Sequence, residues 1–257
     1  MPIPCARRLT GRQRTPQANR QLSFALAFVA GAINAGGFLA VRQYTSHMTG
    51  IVSAMADNIA LGAPVLVGAG IAALVMFMAG AACTAIMVNL ARRRGMHSEY
   101  ALPLLLEAVL LLVFGMLGAW LSALETYLVP ATVMLLCFIM GLQNALITKI
   151  SHAEVRTTHI TGMVTDIGIE LGKLLYWNRT AAPKRPAPVA ADRRRLATLS
   201  VLVLCFFAGG VVGALGFSHV GYLATLPLAL LLTAMAVVPA ADDLLAWRRR
   251  LPGRPEA

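Results

Sequence analysis

Charge is scarce in this chain. Only 13% of its 257 residues are charged, while 58% are hydrophobic, and the mean hydropathy is +0.71. That is too apolar for a soluble globular domain and fits one polytopic membrane domain. Acidic residues are scarcer still, 11 against 22 lysines and arginines, for a formal net charge of +11. Such a balance can signal a nucleic-acid partner. Here the cations lie in loops beside apolar runs with no nucleic-acid-binding motif, so no such partner is expected. Cysteine is sparse too: Cys5, Cys83, Cys137 and Cys205 show no C-x-x-C spacing, which argues against a zinc site or a disulfide framework. A nucleotide-binding loop, a Gly-x-Ser-x-Gly elbow and a His-Glu-x-x-His pair are all missing. No ATP-driven pump, enzyme or cofactor is therefore expected.

What the chain has in quantity is long apolar runs. Six of them, approximately 22–41, 65–90, 101–121, 127–148, 196–217 and 220–240, reach the roughly 20 residues needed to cross a bilayer. The first exceeds a signal-peptide h-region and reads as an uncleaved span. Two shorter segments, about 46–62 and 157–176, are helical in pattern but polar along one face. If the six long runs alone cross, every lysine and arginine except Arg42 falls on one side; counting the short segments as spans weakens that bias. The positive-inside rule thus favours six spans with both termini cytoplasmic.

The two short segments are copies of one another. Residues 45–50 read T-S-H-M-T-G and residues 157–162 read T-T-H-I-T-G, each following a Gly-x-x-Asn pair, Gly31 with Asn34 and Gly141 with Asn144. Phe77-x-Ala79-Gly80 recurs as Phe206-x-Ala208-Gly209, and Leu102-Pro103-Leu104 as Leu226-Pro227-Leu228. Four matches in register point to an internal repeat. With three crossings per half the second copy is inverted, the plan of many secondary transporters. The expected organisation is a basic cytoplasmic tail over 1–20, membrane repeat one over 21–125 and membrane repeat two over 126–243, followed by a basic tail over 244–257. A Pro/Ala/Arg-rich linker over 178–195 interrupts the second repeat. The fold class is all-α and polytopic, with one short motif-bearing helix in each repeat.

Candidate chemistry gathers on the motif segments. On a helix, His159, Gly162, Asp166, Glu170 and Lys173 share one face, with Ile160, Val164, Ile167, Leu171 and Leu174 on the other side. In the first copy His47, Gly50 and Asp57 share a face with Asn58, but no acid falls opposite Glu170. Two placements are open. The segments either lie flat at the interface with the polar face in water, or re-enter the bilayer, where irregular backbone must line a cavity or be buried in protein. In the second case Thr49-Gly50 and Thr161-Gly162 present N–H groups at a helix start, which favours an anion or a carbonyl oxygen. His47 and His159 are either proton relays or structural hydrogen-bonding groups. A metal held by His159, Asp166 and Glu170 is geometrically allowed, but an ion-pair face explains Glu170 with Lys173 equally well, and no metal is expected. Glu107 stands alone in the third span. It is either a functional intramembrane carboxylate or one that snorkels to Arg92, Arg93 and Arg94. Asn34 and Asn144, beside Gln143, either bond between helices or face a shared path.

The blocks 31–62 and 141–172 resemble the YoaK-like family of bacterial integral membrane proteins. The second block is the more specific, with Arg156-Thr157-Thr158, Thr161-Gly162, Thr165-Asp166 and Gly168. In the first, Ile51 stands where family members often carry a polar residue. The resemblance implies a six-span bacterial inner-membrane protein and implies no activity, since the function of that family is unknown. Together these readings lead to an expected small-solute transporter or channel in the lipid bilayer. Its pathway residues are Asn34, His47, Thr49, Gly50, Asp57, Glu107, Asn144, Arg156, Thr157, His159, Thr161, Gly162, Asp166 and Glu170. A non-transporting scaffold or sensor and an intramembrane enzyme are the alternatives, and self-association is left open.

Overall fold

A computed structural model describes residues 15–96, 99–120, 125–150, 160–176 and 189–250. The described residues form eight α-helices: α1 (Pro16–Val41), α2 (Met48–Ala60), α3 (Pro64–Arg93), α4 (Ala101–Trp120), α5 (Glu125–Ile150), α6 (Ile160–Leu175), α7 (Arg193–Val220) and α8 (Thr225–Arg250). No strand occurs among them. Local chemistry sets several boundaries. The Thr15 hydroxyl accepts from Ala18 N–H, with Pro16 in the first turn, so α1 starts inside the stretch read as a tail. Asp192 caps α7 by accepting from Arg194 and Arg195 N–H. The last residues of the expected linker are therefore helical. α8 likewise runs on to Arg250, beyond the expected start of the C-terminal tail.

Among the described residues five stretches are long and apolar enough to cross a membrane. Four coincide with α1, α3, α4 and α5. The fifth, Arg193–Val237, is 45 residues long and contains two helices. Gly221, at φ 61, breaks it, and a 3-10 turn over Gly221–Ala224 joins α7 to α8.

The main pairings run between the two halves of the chain. α1 packs along α7, α3 along α5 and α4 along α8, while α2 lies on α3 and α6 on α7. Four glycines set the two closest crossings. A Cβ on Gly31 would overlap the Phe206 carbonyl oxygen and lie 2.9 Å from Gly210 N, and one on Gly209 would overlap the Phe28 carbonyl oxygen. The other pair repeats this: a Cβ on Gly80 would overlap the Phe138 carbonyl oxygen, and one on Gly141 that of Phe77. Backbone meets backbone at both crossings, which only a missing Cβ allows.

One large core collects Leu22, Leu26 and Ile33 of α1, Leu104 and Leu111 of α4, Leu136 and Leu146 of α5, and Leu232 of α8. α3 and α7 flank it. Their outward side chains, among them Val75 and Ile86 on α3 and Leu204 and Phe207 on α7, are exposed, as expected of surfaces that meet lipid tails.

Candidate functional site

The first motif folds back against the helix that precedes it. α1 ends with Arg42 in the left-handed region, its N–H bonded to Phe38 O. The chain then reverses. Tyr44 stacks on Phe38 at 4.5 Å, and the Ser46 hydroxyl donates to Asn34 Oδ1 at 2.7 Å. Asn34 lies seven residues before the end of α1, roughly 10 Å back along its axis. Helix α2 begins there. From that point it runs antiparallel to α3: Ile51 packs near Ala73, Met55 covers Gly70, and Asn58 and Ile59 face Val67 and Ile71. A tight turn, Ala63 N–H to Asn58 O at 2.9 Å with Gly62 at φ 67, closes the hairpin. The N-terminus of α2 thus sits beside Ala73, nine residues and about 14 Å along α3 from Pro64.

In the first copy the H-x-x-G spacing has a steric cause. The His47 ring folds over Gly50, where an added Cβ would lie 2.6 Å from Nε2 and closer still to Cδ2. His47 gives no side-chain cap to α2, so the first-turn N–H groups of Thr49 and Gly50 have no partner within the helix. We expect Gly50→Ala to push the imidazole off the helix start while costing under about 1 kcal/mol of stability, because a ring can rotate where backbone cannot. The His47 ring resonances in nuclear magnetic resonance spectra should shift while the melting temperature barely moves.

The second motif helix has the same placement with different chemistry. Arg156, Thr157 and His159 lie outside the described residues. Thr161 and Gly162 occupy the first turn of α6, where Thr161 O accepts from the Thr165 hydroxyl. α6 runs antiparallel to α7. Glu170 meets the start of α7 by accepting from Asp192 N–H at 2.8 Å. One turn earlier, Asp166 pairs with Arg195 at 3.0 Å. Met163 packs with Leu199 and Leu202 of α7 and with Ala27 of α1. Its N-terminus therefore lies roughly 9–14 Å along α7. Of the two acids Glu170 faces protein, while the Asp166–Arg195 pair stays partly exposed. Glu170 is only 2% exposed and also takes a 2.8 Å salt bridge from Lys173. Val164, Ile169, Leu171 and Leu174 face outward. The apolar row thus faces outward while Glu170 turns to α7. The Lys173 hydrogen bond, and then the Asp192 N–H, hold the Glu170 carboxyl below the usual carboxylate range.

Buried polar groups tie the central helices. The Thr84 hydroxyl donates to Leu142 O at 2.9 Å, linking α3 to α5. Gln143 Nε2 donates to Leu26 O at 3.3 Å, linking α5 to α1. Within α5 the Thr148 hydroxyl donates to the backbone carbonyl of half-buried Asn144. Glu107 is wholly buried, with no hydrogen-bond partner on either carboxyl oxygen among the described residues. It does not snorkel to the basic cluster: Arg92 bonds Glu99 at 2.8 Å and the Tyr100 hydroxyl at 3.0 Å.

The structure gathers Asn34, Ser46, His47, Thr49 and Gly50 at one place, with Asp57 exposed two turns further along α2. It gathers Asp166 and Glu170 at the α6–α7 junction. The two motif helices share no packing face, since α2 lies on α3 and α6 on α7. Asp192 and Arg195 were missed as partners of the acids. The signal was an Asp directly before a helical run, where it serves as a cap. Among the described residues no group of three His, Cys, Asp or Glu is placed to hold a metal.

Comparison with known proteins gives two matches. The model of the family described as protein of unknown function (DUF1275) matches residues 22–238. The UPF0700 transmembrane protein YoaK of Bacillus subtilis is 24% identical over 155 residues, 60% of this chain and 68% of that protein. No solved structure matches.

Proposed function

The chain belongs to the DUF1275 family and is a membrane protein, and from its two half-length motif helices we propose that it is a six-span transporter or channel for a small solute. The carrying observation is the placement of those helices. Each runs alongside a long apolar helix, and each starts partway along that helix instead of at its end. That is the geometry of a re-entrant helix whose positive end points into the bilayer. A flat interfacial helix would cross its neighbour instead.

Six spans follow from counting α7 and α8 separately on either side of Gly221. The inverted repeat is supported by the exchange of pairings. Replacing α1 by α5, α2 by α6, α3 by α7 and α4 by α8 turns the α1–α7 crossing into the α5–α3 crossing, glycines and phenylalanines included. With the basic loops inside, both termini are cytoplasmic and the membrane is the bacterial inner membrane. The Asn34 motif then opens from the outside, and its copy with Asn144, Arg156, Thr157 and His159 from the cytoplasm. In this reading Thr49-Gly50 and Thr161-Gly162 offer N–H and hydroxyl groups to an anionic or carbonyl-bearing solute. No catalytic step or cofactor is involved.

The test is flux into proteoliposomes across a broad solute panel, comparing wild type with Gly162→Trp. The wild type should accumulate at least one solute that the tryptophan variant excludes. No difference for any solute sinks the proposal. Single cysteines at Thr49 and Thr161 report placement separately: membrane-impermeant maleimides should label both far more slowly than a cysteine at Asp57. Equal, rapid labelling would restore the flat-helix reading.

A further inference from the structure

Glu107 is the one charged-type side chain that the core encloses without giving it a partner among the described residues. Its surroundings follow from helix register. The Tyr100 hydroxyl donates to Lys149 O at 3.3 Å, which fixes the cytoplasmic start of α4 beside the end of α5. Glu107 lies seven residues beyond Tyr100, two helical turns on, and so shares its face of α4. Gln143 lies six residues before Lys149 on the antiparallel α5. By helix rise Glu107 lies about 10 Å and Gln143 about 9 Å inward from that contact, which puts both in one layer of the bundle. Both are completely buried, in the layer where α1, α4, α5 and α8 share one core.

The chemistry of that layer is one-sided. Gln143 spends its amide N–H on Leu26 O, which leaves Oε1 as a buried acceptor without a donor. The two oxygens of Glu107 are also acceptors without a donor. Three orphan acceptors in one layer need a proton or a cation, because a buried acceptor without a donor is destabilising and a buried unpaired charge far more so. The described titratable groups of α3, α5 and the 3-10 turn do not supply it, and α8 carries none from Thr225 to Ala241. Arg92 of α3 is engaged with Glu99 and Tyr100. Cys83 is turned to Met87, and Cys137 of α5 lies in the separate cluster under α2. Lys149 is two turns away at the cytoplasmic end. Tyr222 of the 3-10 turn packs edge-on against Phe114, two turns beyond Glu107 in the other direction.

We propose that Glu107 and Gln143 form a buried proton-binding pair, in which the carboxyl carries the proton and donates it to Gln143 Oε1. Two acceptors that cannot bond one another become a donor and an acceptor once one proton enters, and no second ion is required. If the chain transports, and this clause rests on that reading, the proton is its coupling ion and Glu107 its carrier. The pair belongs to the first half alone, since the repeat places Leu231 opposite Glu107 and Ile33 opposite Gln143.

The test is infrared difference spectroscopy of the purified chain in lipid nanodiscs. Subtracting Glu107→Gln from wild type should leave the carbonyl-stretch band of a protonated carboxylic acid. Gln143→Leu should move that band to higher frequency as its hydrogen bond is lost, and exchange of sodium for choline should leave it in place. Glu107→Asp should shift the band without removing it, which covers the case in which Glu107→Gln does not fold. Only ionised-carboxylate bands in the difference spectrum, a band unmoved by Gln143→Leu, or a band removed by sodium each overturns the proposal. The readout involves no flux, so it stands or falls separately from transport.

Discussion

Gly31→Ala is expected to destabilise the protein by roughly 1–3 kcal/mol or more, although it adds a single methyl group. The new Cβ would occupy the place of the Phe206 carbonyl oxygen. That atom belongs to the backbone of α7 and cannot rotate away as a side chain would. The helices must separate, which forfeits packing along the whole α1–α7 interface, and in lipid no hydrophobic effect drives helices back together. Gly80→Ala should cost a similar amount, because the α3–α5 crossing repeats the same contact against Phe138. Gly168→Ala is the control. Gly168 sits on the open face of α6 with nothing within 4 Å of an added Cβ, so this change should stabilise slightly, by about 0.5–1 kcal/mol from helix propensity. Thermal unfolding in detergent micelles distinguishes the three. A Gly31→Ala variant that melts with the wild type would show that the crossing is not tight.

Glu170→Ala should release α6 from the start of α7. The carboxylate accepts from Lys173 and from Asp192 N–H while almost fully enclosed. Its removal takes the acceptor from Asp192 N–H and the ion-pair partner from half-exposed Lys173, and also frees the residue that caps α7. Hydrogen–deuterium exchange of residues 160–175 should quicken about tenfold, in line with the loss of a charge-assisted hydrogen bond. The same latch predicts a pH dependence. Because the folded carboxyl is held below its ordinary value, its contribution is fully present above the unfolded glutamate value, about pH 4.3. It is lost as pH falls through the depressed folded value. Acid should therefore loosen α6 before the central core in wild type, and Glu170→Ala should abolish that early step. α2 carries no equivalent acid pair and rests on Ile51 and Met55. Its exchange should be insensitive to pH over the same range once intrinsic rates are corrected, and a matching acid step in α2 would contradict an α6-specific latch.

Much of the secondary structure was legible before any coordinates. Apolar runs located α1, α3, α4 and α5 within a few residues, and the polar duplicates located α2 and α6. The errors fell at ends such as Pro16 and Arg193, where a capping Thr or Asp inside a basic stretch begins the helix earlier than hydropathy does. The H-x-x-G spacing was visible as a repeat, but the contact behind its first copy, the His47 ring lying over Gly50, needed the fold. The acidic face of α6 was likewise visible, yet its direction was not.

By itself, then, the sequence determined which segments leave water, how long they are and that one polar motif recurs. These are properties of single segments, and transfer from water to an apolar phase reads them directly. The tertiary structure decided which face of each segment meets protein, that α1 pairs with α7 and α3 with α5, and that Glu107 is enclosed without reaching Arg92. Hydropathy is silent there, because lipid tails and a protein interior are equally apolar. Only shape separates them: a missing Cβ at Gly31, Gly80, Gly141 and Gly209, and a hydrogen bond that must find its partner inside.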